Sequence, residues 1–293
     1  MNSFYLTDLD KTFLRTDLSL SDYSRKVWNK SVEQGARLSV ATARSLTGVR
    51  RLLKDLRITE PMILLDGVLI ATMEGELRHV AALDRLTAQE IIGIGQEMEM
   101  EPLLVSLEED GLESFVYPRR PNRWQRELLA TFHNDRRVLD TERMEAGERT
   151  LKIVYLHDEE HTARLERRLR EALASEIEIK RSKDPYIDCW FMTVLHPEGD
   201  KAHALAKLEE MEGVDRRHTT VFGDSHNDIG LFEMAGRRIA VANAIDELKA
   251  RADLVLPWSN DEEGVARFLE GELLECRIQS EEQRVEDETE NGG

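Results

Sequence analysis

Two acidic residues lie close together near the start of the chain, where a strand-like run ends. Asp8 and Asp10 follow the apolar run Phe4 to Thr7 and are separated by one residue. Two carboxylates this close repel each other unless a cation compensates their charge. In an open α/β sheet, ligands bind just outside the carboxyl ends of the strands. The segment therefore suggests a cation-dependent site, although a turn in which Asp10 caps a helix also fits it.

A second acidic segment lies late in the chain. Asp224 and Asp228 belong to the sequence GDSHND, which begins at Gly223 and directly follows the strand-like run Thr219 to Phe222. Hard oxygen ligands of this kind suit Mg²⁺, which binds a few carboxylates and keeps room for water and a substrate phosphate. Together the two acidic segments predict a magnesium site. Taken alone, the second one also fits a loop followed by an Asp or Asn helix cap.

Two further residues could hold an anion beside such a metal. Thr42 follows the apolar run Leu38 to Ala41, and its hydroxyl could donate to a phosphate oxygen. Lys201 opens a predicted helix, where the helix dipole favours an anion rather than a cation. That placement is reasonable if an anion lies between the lysine and the helix. Without the other segments, a solvated surface lysine would be the simpler interpretation.

The elements that would position these residues alternate between strand and helix at both ends of the chain. Strand-like runs are predicted near 4–7, 38–41, 62–65, 219–222, 238–241 and 254–256. Helical patterns are predicted near 21–34, 45–56, 228–235, 246–251 and 262–269. Strands alternating with helices predict an α/β fold with a doubly wound parallel, Rossmann-like sheet.

The middle of the chain follows a different pattern. Helices are predicted near 87–98, 122–132 and 159–174, and strands near 103–107, 113–117, 151–156, 176–180 and 189–195. This mixture predicts an inserted α+β domain over 83–195, between core segments at 1–82 and 196–276. The acidic tail 277–293 has no aromatic residue and is predicted to be disordered, with an acidic docking tail as the alternative.

Composition limits the kinds of partner. The chain has 293 residues and a net charge of −18, which disfavours nucleic acid as the main partner and requires local cations at any phosphate site. The two cysteines, Cys189 and Cys276, fit neither a metal spacing nor a disulfide framework. The opening residues lack the basic start and apolar stretch of a signal peptide, and no apolar run approaches membrane-spanning length. We therefore expect a cytoplasmic protein with no membrane partner; the sequence does not determine its oligomeric state.

The segments that contain Asp8, Thr42, Lys201 and Asp224 resemble, in order and spacing, the four motifs of the haloacid dehalogenase superfamily of phosphohydrolases. The resemblance is strongest to the Cof-type branch of that superfamily. Two later stretches share that resemblance, NAIDEL from Asn243 and SNDEEGVA from Ser259. The family implies a magnesium-dependent phosphatase acting on a small phosphorylated metabolite through an aspartyl phosphate. It also implies that the insertion is a large α+β cap of the C2 type, which sets substrate specificity.

The resemblance also implies a role for each matching residue. Asp8 matches the nucleophile and Asp10 the general acid and base. The metal ligands would come from Asp8, Asp10, Asp224 and Asp228, with Asp10 contributing its backbone carbonyl. Phosphate or substrate would be bound by Thr42, Arg44, Lys201 and Asn227.

Some positions depart from the family pattern. Lys11, Ala43 and Ala202 stand where the family usually has glycine, and Asp66 precedes Gly67 where Cof-type proteins often have asparagine. None of these changes removes a catalytic group, so they bear on the substrate. Asp66, Tyr186 and Trp190 are candidate substrate contacts, whereas His226 is interpreted as a loop residue. Two other functions stay open: a phosphosugar mutase or other phosphotransferase, and a non-catalytic phosphate sensor.

Overall fold

The structure is a computed structural model that describes residues 4–132, 135–184, 187–272 and 274. The predicted disordered tail, Cys276 and Tyr186 lie outside the described residues. Within the described part the chain forms two compact units, the first made of 4–66, 70–76 and 201–274 and the second of 67–69 and 77–200. The domain boundaries given by the sequence, at 82 and 195, stay a prediction.

The elements follow one another along the chain in this order. The strands are β1 Phe4–Thr7, β2 Arg37–Val40, β3 Met62–Leu64, β4 Leu69–Ala71, β5 Leu77–Val80, β6 Leu103–Leu107, β7 Glu113–Pro118, β8 Val138–Thr141, β9 Thr150–His157, β10 Glu178–Lys183, β11 Trp190–Leu195, β12 Thr219–Gly223, β13 Arg237–Ala240 and β14 Leu254–Val255. The helices are α1 Asp22–Glu33, α2 Leu46–Leu52, α3 Arg85–Glu97, α4 Arg123–Leu129, α5 Glu159–Leu173, α6 Lys201–Glu212, α7 Ile229–Met234, α8 Asp246–Lys249 and α9 at 264–272.

The first unit contains a parallel sheet in the order β14-β13-β12-β1-β2. Every residue of β1 and β12 is buried, which explains why these strands read as short apolar runs. In the register, Thr7 lies opposite both Val40 and Phe222. Because parallel strands end at the same edge, the residues that follow β1, β2 and β12 meet there. This arrangement brings three distant acidic or polar segments together.

The second unit contains a separate six-stranded sheet in the order β10-β11-β9-β6-β7-β8. Its neighbouring strands are antiparallel except for β7 and β8. Ile91 of α3 and Leu165 of α5 pack in one apolar cluster with Ile153 and Tyr155 of β9. Trp124 of α4 belongs to another cluster, together with residues of β9. The predicted fold class is confirmed: an α/β fold with a parallel sheet and an inserted α+β region.

Strands β4, β5 and β8 were not predicted from the sequence, and one predicted helix is too long. The helix predicted over 45–56 ends at Leu52, because the chain turns where the amide of Leu56 donates to the carbonyl of Leu53. Both leucines are buried and keep a helical spacing in the sequence. Strand β8 was not predicted, because its residues are exposed or half-buried and it pairs only with β7 at the sheet edge. Among the described helices, none is long and apolar enough to cross a membrane.

Candidate active site

Three carboxylates meet at the carboxyl edge of the parallel sheet. Asp8 follows β1, and its amide donates to the carbonyl of Phe222 on β12 at 3.0 Å. Asp224 follows β12, and Asp228 precedes α7. One carboxylate oxygen of each aspartate lies within 4.8 Å of those of the other two, and all three residues are buried. The structure therefore brings together three of the predicted metal ligands.

The backbone at the end of β12 holds Asp228 in place. One oxygen of this carboxylate accepts from the amides of Asp224 and Ser225, at 3.1 and 3.2 Å. A Cβ atom at Gly223 would lie 2.7 Å from the Cβ of Asp228 and 2.8 Å from its Oδ2. Only glycine therefore lets the strand pass this close to the buried carboxylate. This close approach gives a physical reason for the glycine in GDSHND.

Lys201 is the cation of this cluster. It is the first residue of α6, and its side chain is fully buried. The Nζ atom donates to Oδ1 of Asp8 at 2.6 Å and to Oδ1 of Asp228 at 2.7 Å. Burial by itself lowers the pKa of Lys201, but the two carboxylates outweigh burial and raise that pKa above its ordinary value. The lysine is thus a permanent positive charge and not a solvated surface residue.

One ammonium does not balance three carboxylates. Burial raises the pKa of Asp8 well above its ordinary value, while Lys201 opposes this rise. Burial and the charge of Asp228 raise the pKa of Asp224 to about 6. Both shifts have the direction expected when three buried carboxylates share one lysine. Buried oxygen ligands in need of a further cation fit Mg²⁺.

The loop after β1 supplies a hydrogen bond that the sequence analysis did not assign. The hydroxyl of Thr12 donates to Oδ1 of Asp224 at 3.0 Å and orients that carboxylate. Lys11 has a φ of 57°, in the left-handed region that favours glycine, so it adopts a conformation in which a glycine would be less strained. The side-chain amide of Asn243 donates from Nδ2 to the carbonyl of Lys11 at 2.7 Å. The position of Thr12 at the end of Asp-x-Asp-x-Thr was the signal that could have identified it.

Asp10 has a different partner. Its carboxylate accepts from Nε of Arg44 at 2.8 Å and from Nη2 of Arg44 at 2.5 Å. Such a two-pronged pair fixes the orientation of both side chains. The Asp10 carboxylate is not one of the three that cluster with Lys201. Arg44 was predicted to bind phosphate or substrate, whereas in the structure it pairs with Asp10, the expected acid and base.

Other predicted site residues lie as follows. Thr42 is buried, and its hydroxyl accepts from the amide of Arg44 at 3.2 Å. Asn227 accepts from the Ser225 hydroxyl at 2.7 Å. Asp66 lies in a turn with a φ of 68°, and its amide donates to the carbonyl of Thr42. His226 is exposed, opens the short 3-10 helix His226–Asp228 rather than lying in an irregular loop, and has its Nδ1 3.4 Å from Oε2 of Glu247.

Residues 5–269 match the family of haloacid dehalogenase-like hydrolases, and the chain belongs to that family. Over 278 residues it is 23% identical to the 5-amino-6-(5-phospho-D-ribitylamino)uracil phosphatase YitU of Bacillus subtilis, covering 89% of this chain and 94% of that relative. Over 243 residues it is 26% identical to the HMP-PP phosphatase of Citrobacter koseri, an alignment that covers 83% of this chain and 85% of that relative.

A solved structure of a haloacid dehalogenase-like hydrolase from Bacteroides thetaiotaomicron has the same fold. The two chains superpose with a TM-score of 0.77 at 23% sequence identity, over 92% of this chain and 99% of the other. Family, relatives and fold confirm the predicted superfamily and the predicted class of enzyme, a phosphatase.

Proposed function

We propose that this protein is a magnesium-dependent phosphatase that hydrolyses a small phosphate monoester through an aspartyl phosphate on Asp8. One observation carries the proposal: at the carboxyl ends of the parallel strands, the buried Asp8 carboxylate lies beside two further buried carboxylates and contacts a buried lysine. A carboxylate held in this way is suited to nucleophilic attack, and its neighbours are suited to bind the phosphate charge.

The residues that would hold Mg²⁺ are Asp8, Asp224 and Asp228, with the backbone carbonyl of Asp10 as the family implies. Their all-oxygen donor set and their uncompensated charge fit this ion. When bound, Mg²⁺ would supply positive charge to the phosphate oxygens. Lys201 supplies a second positive charge from the protein itself, because its Nζ contacts both Asp8 and Asp228.

The reaction can be written for the protein residues alone. An oxygen of Asp8 forms a bond to phosphorus as the ester oxygen leaves, and Asp10 gives the leaving oxygen a proton. A water molecule then attacks phosphorus, Asp10 takes its proton, and Asp8 is regenerated as inorganic phosphate departs. Arg44 donates one hydrogen bond to each oxygen of Asp10 in this structure, which leaves a second lone pair on each oxygen for the proton.

We infer that the substrate is a small phosphorylated metabolite, such as a sugar phosphate or a phosphorylated cofactor. Support comes from the two phosphatase relatives, whose names give phosphorylated small molecules as their substrates. The four segments assigned to phosphate all belong to the first unit. We therefore propose the insertion as the main source of selectivity for the rest of the substrate, with Asp66 of the first unit as a further candidate contact.

The experiment is a phosphate-release assay over a panel of phosphorylated metabolites, run with Mg²⁺ and with excess chelator. We expect release from at least one small monoester with Mg²⁺ and none with chelator. Asp8→Asn keeps the size of the side chain but removes the attacking charge, and should lower kcat at least about a thousandfold. Asp22→Asn, at an exposed carboxylate of α1, is the matched control and should leave turnover unchanged. Normal turnover by folded Asp8→Asn would contradict the mechanism.

A further inference from the structure

A second cluster of metal-ligating side chains lies in the second unit. His157 ends β9, Asp158 is the N-cap of α5, and His161 lies in the first turn of that helix. One ligand atom from each of the three residues lies within 4.8 Å of those from the other two. These residues belong to none of the segments assigned to phosphate transfer.

The contacts within the cluster leave one nitrogen unused. His161 Nδ1 lies 2.8 Å from Oδ1 of Asp158, and the His161 amide donates to that oxygen at 2.9 Å. His157 Nδ1 lies 3.2 Å from Oδ2 of Asp158, but it is shielded from solvent and has no hydrogen-bond partner in the described structure. A shielded ring nitrogen without a partner is costly. A spacing near 3.2 Å is also what two ligands of a tetrahedral ion require when each bond is about 2.0 Å.

The cluster joins two imidazole rings to one carboxylate. Neutral imidazole and ionised carboxylate are the forms that coordinate metals. Glu159 and Glu160 add negative charge to the same helical turn.

We propose that His157, Asp158 and His161 bind one divalent transition-metal ion of the Zn²⁺ type, with water as the fourth ligand. Two imidazoles and one carboxylate are a donor set that such ions accept, whereas Mg²⁺ prefers oxygen ligands. The ion joins the end of β9 to the start of α5 and uses the unpaired nitrogen of His157. The proposal does not depend on the phosphatase reaction.

The test is a calorimetric titration of Zn²⁺ into the full chain in saturating Mg²⁺, which occupies the oxygen-ligand site. We expect one saturable Zn²⁺ site, and Co²⁺ in its place should give the visible absorption of a four-coordinate ion. His157→Gln and His161→Gln should each weaken Zn²⁺ binding at least about tenfold. Asp158→Asn keeps a good helix cap while removing the charge, and should weaken binding as well.

The matched control is His218→Gln. His218 Nδ1 lies 3.1 Å from a carboxylate oxygen of Asp215, three residues earlier, which repeats the pairing of His161 with Asp158. That pair is not part of a three-ligand cluster among the described residues, so the control variant should bind Zn²⁺ as the natural protein does. Absence of saturable Zn²⁺ binding, or equal binding by the natural protein and both His157→Gln and His161→Gln, would overturn the proposal. Melting curves without metal show whether His157→Gln, His161→Gln and Asp158→Asn are folded. If one of them is not folded, Zn²⁺ binding by the other two tests the proposal.

Discussion

At the scale of single residues, the pairing of Asp10 with Arg44 changes what Arg44 is expected to do. The Arg44 guanidinium donates to both oxygens of Asp10 and so holds that carboxylate in place. A substrate-binding arginine would contact the phosphate instead. The two roles predict different kinetics, because a positioning residue acts only through Asp10.

We therefore predict that Arg44→Gln lowers kcat about tenfold or more for an alkyl phosphate, whose leaving oxygen needs a proton, and much less for p-nitrophenyl phosphate. In an Asp10→Asn background the same change should have no further effect on kcat. Arg51→Gln, at an exposed arginine of α2, is the control. If Arg44→Gln raised KM equally in the natural protein and in Asp10→Asn, without changing kcat, Arg44 would be a substrate-binding residue and not a positioning residue.

The raised pKa of Asp224 predicts a pH-dependent need for metal. Its ordinary value is 3.8, and burial together with Asp228 raises it to about 6, so protons compete with Mg²⁺ below pH 6. The Mg²⁺ concentration for half-maximal activity should rise by about tenfold per pH unit below that point. Without metal, Asp224 is more protonated in the folded state than in the unfolded state between about pH 4 and pH 6. The free energy of unfolding should therefore fall as pH rises through this range. A flat Mg²⁺ requirement from pH 5 to pH 7 would contradict this.

At the scale of elements, the start of α6 is a site of electrostatic conflict. A helix N-terminus favours an anion, yet its first residue is the fully buried Lys201. The carboxylates of Asp8 and Asp228 remove the conflict by accepting from its Nζ. The helix and the two acidic segments therefore stabilise one another.

Removing this cation should be costly. We predict that Lys201→Met lowers the free energy of unfolding by about 3–5 kcal/mol in chelator, because buried carboxylates lose their counter-charge. Mg²⁺ should recover part of that loss, since it binds the folded state. Lys207→Met, at a surface lysine of the same helix that pairs with Glu210, should change stability by less than about 1 kcal/mol. Urea unfolding with and without Mg²⁺ measures both, and a Lys201→Met protein as stable as the natural one in chelator would be inconsistent with this account.

At the scale of the whole molecule, phosphate chemistry and substrate choice are assigned to different units. The proposed phosphate-handling residues lie in the first unit, and Trp190, a candidate substrate contact, lies on β11 of the second. Its ring is half-buried, with the guanidinium carbon of Arg181 4.5 Å from the ring centroid.

We predict that Trp190→Ala changes the ratio of kcat/KM between two small phosphate esters while the Mg²⁺ requirement stays the same. Leu86→Ala, at an exposed apolar residue of the same unit, is the control and should leave the ratio unchanged. A small sugar phosphate should also be hydrolysed faster than a phosphoprotein of the same ester type. Faster hydrolysis of the phosphoprotein would contradict the proposed substrate class.

The sequence by itself determined the fold class and the edge at which the chemistry lies. The short apolar runs that precede Asp8, Thr42 and Gly223-Asp224 form buried strands that pair in parallel. The carboxyl ends of parallel neighbours lie at the same edge of the sheet, so the residues that follow these strands lie close together. Local pattern was less informative for β8, whose exposed residues carry no apolar alternation.

Only the tertiary structure decided how the charges pair. Lys201 lies 193 positions from Asp8 in the chain, and the two meet because helix α6 begins beside the residue that follows β1. Arg44 and Asp10 are 34 positions apart, and the sequence alone did not predict that the substrate-binding candidate Arg44 would form an ion pair with the acid and base Asp10. The cluster of His157 and His161 spans the junction of a strand and a helix, where neither periodicity predicts which side chains meet. Pairings of this kind follow from three-dimensional packing, because the energy of a buried charge depends on every neighbour that replaces water.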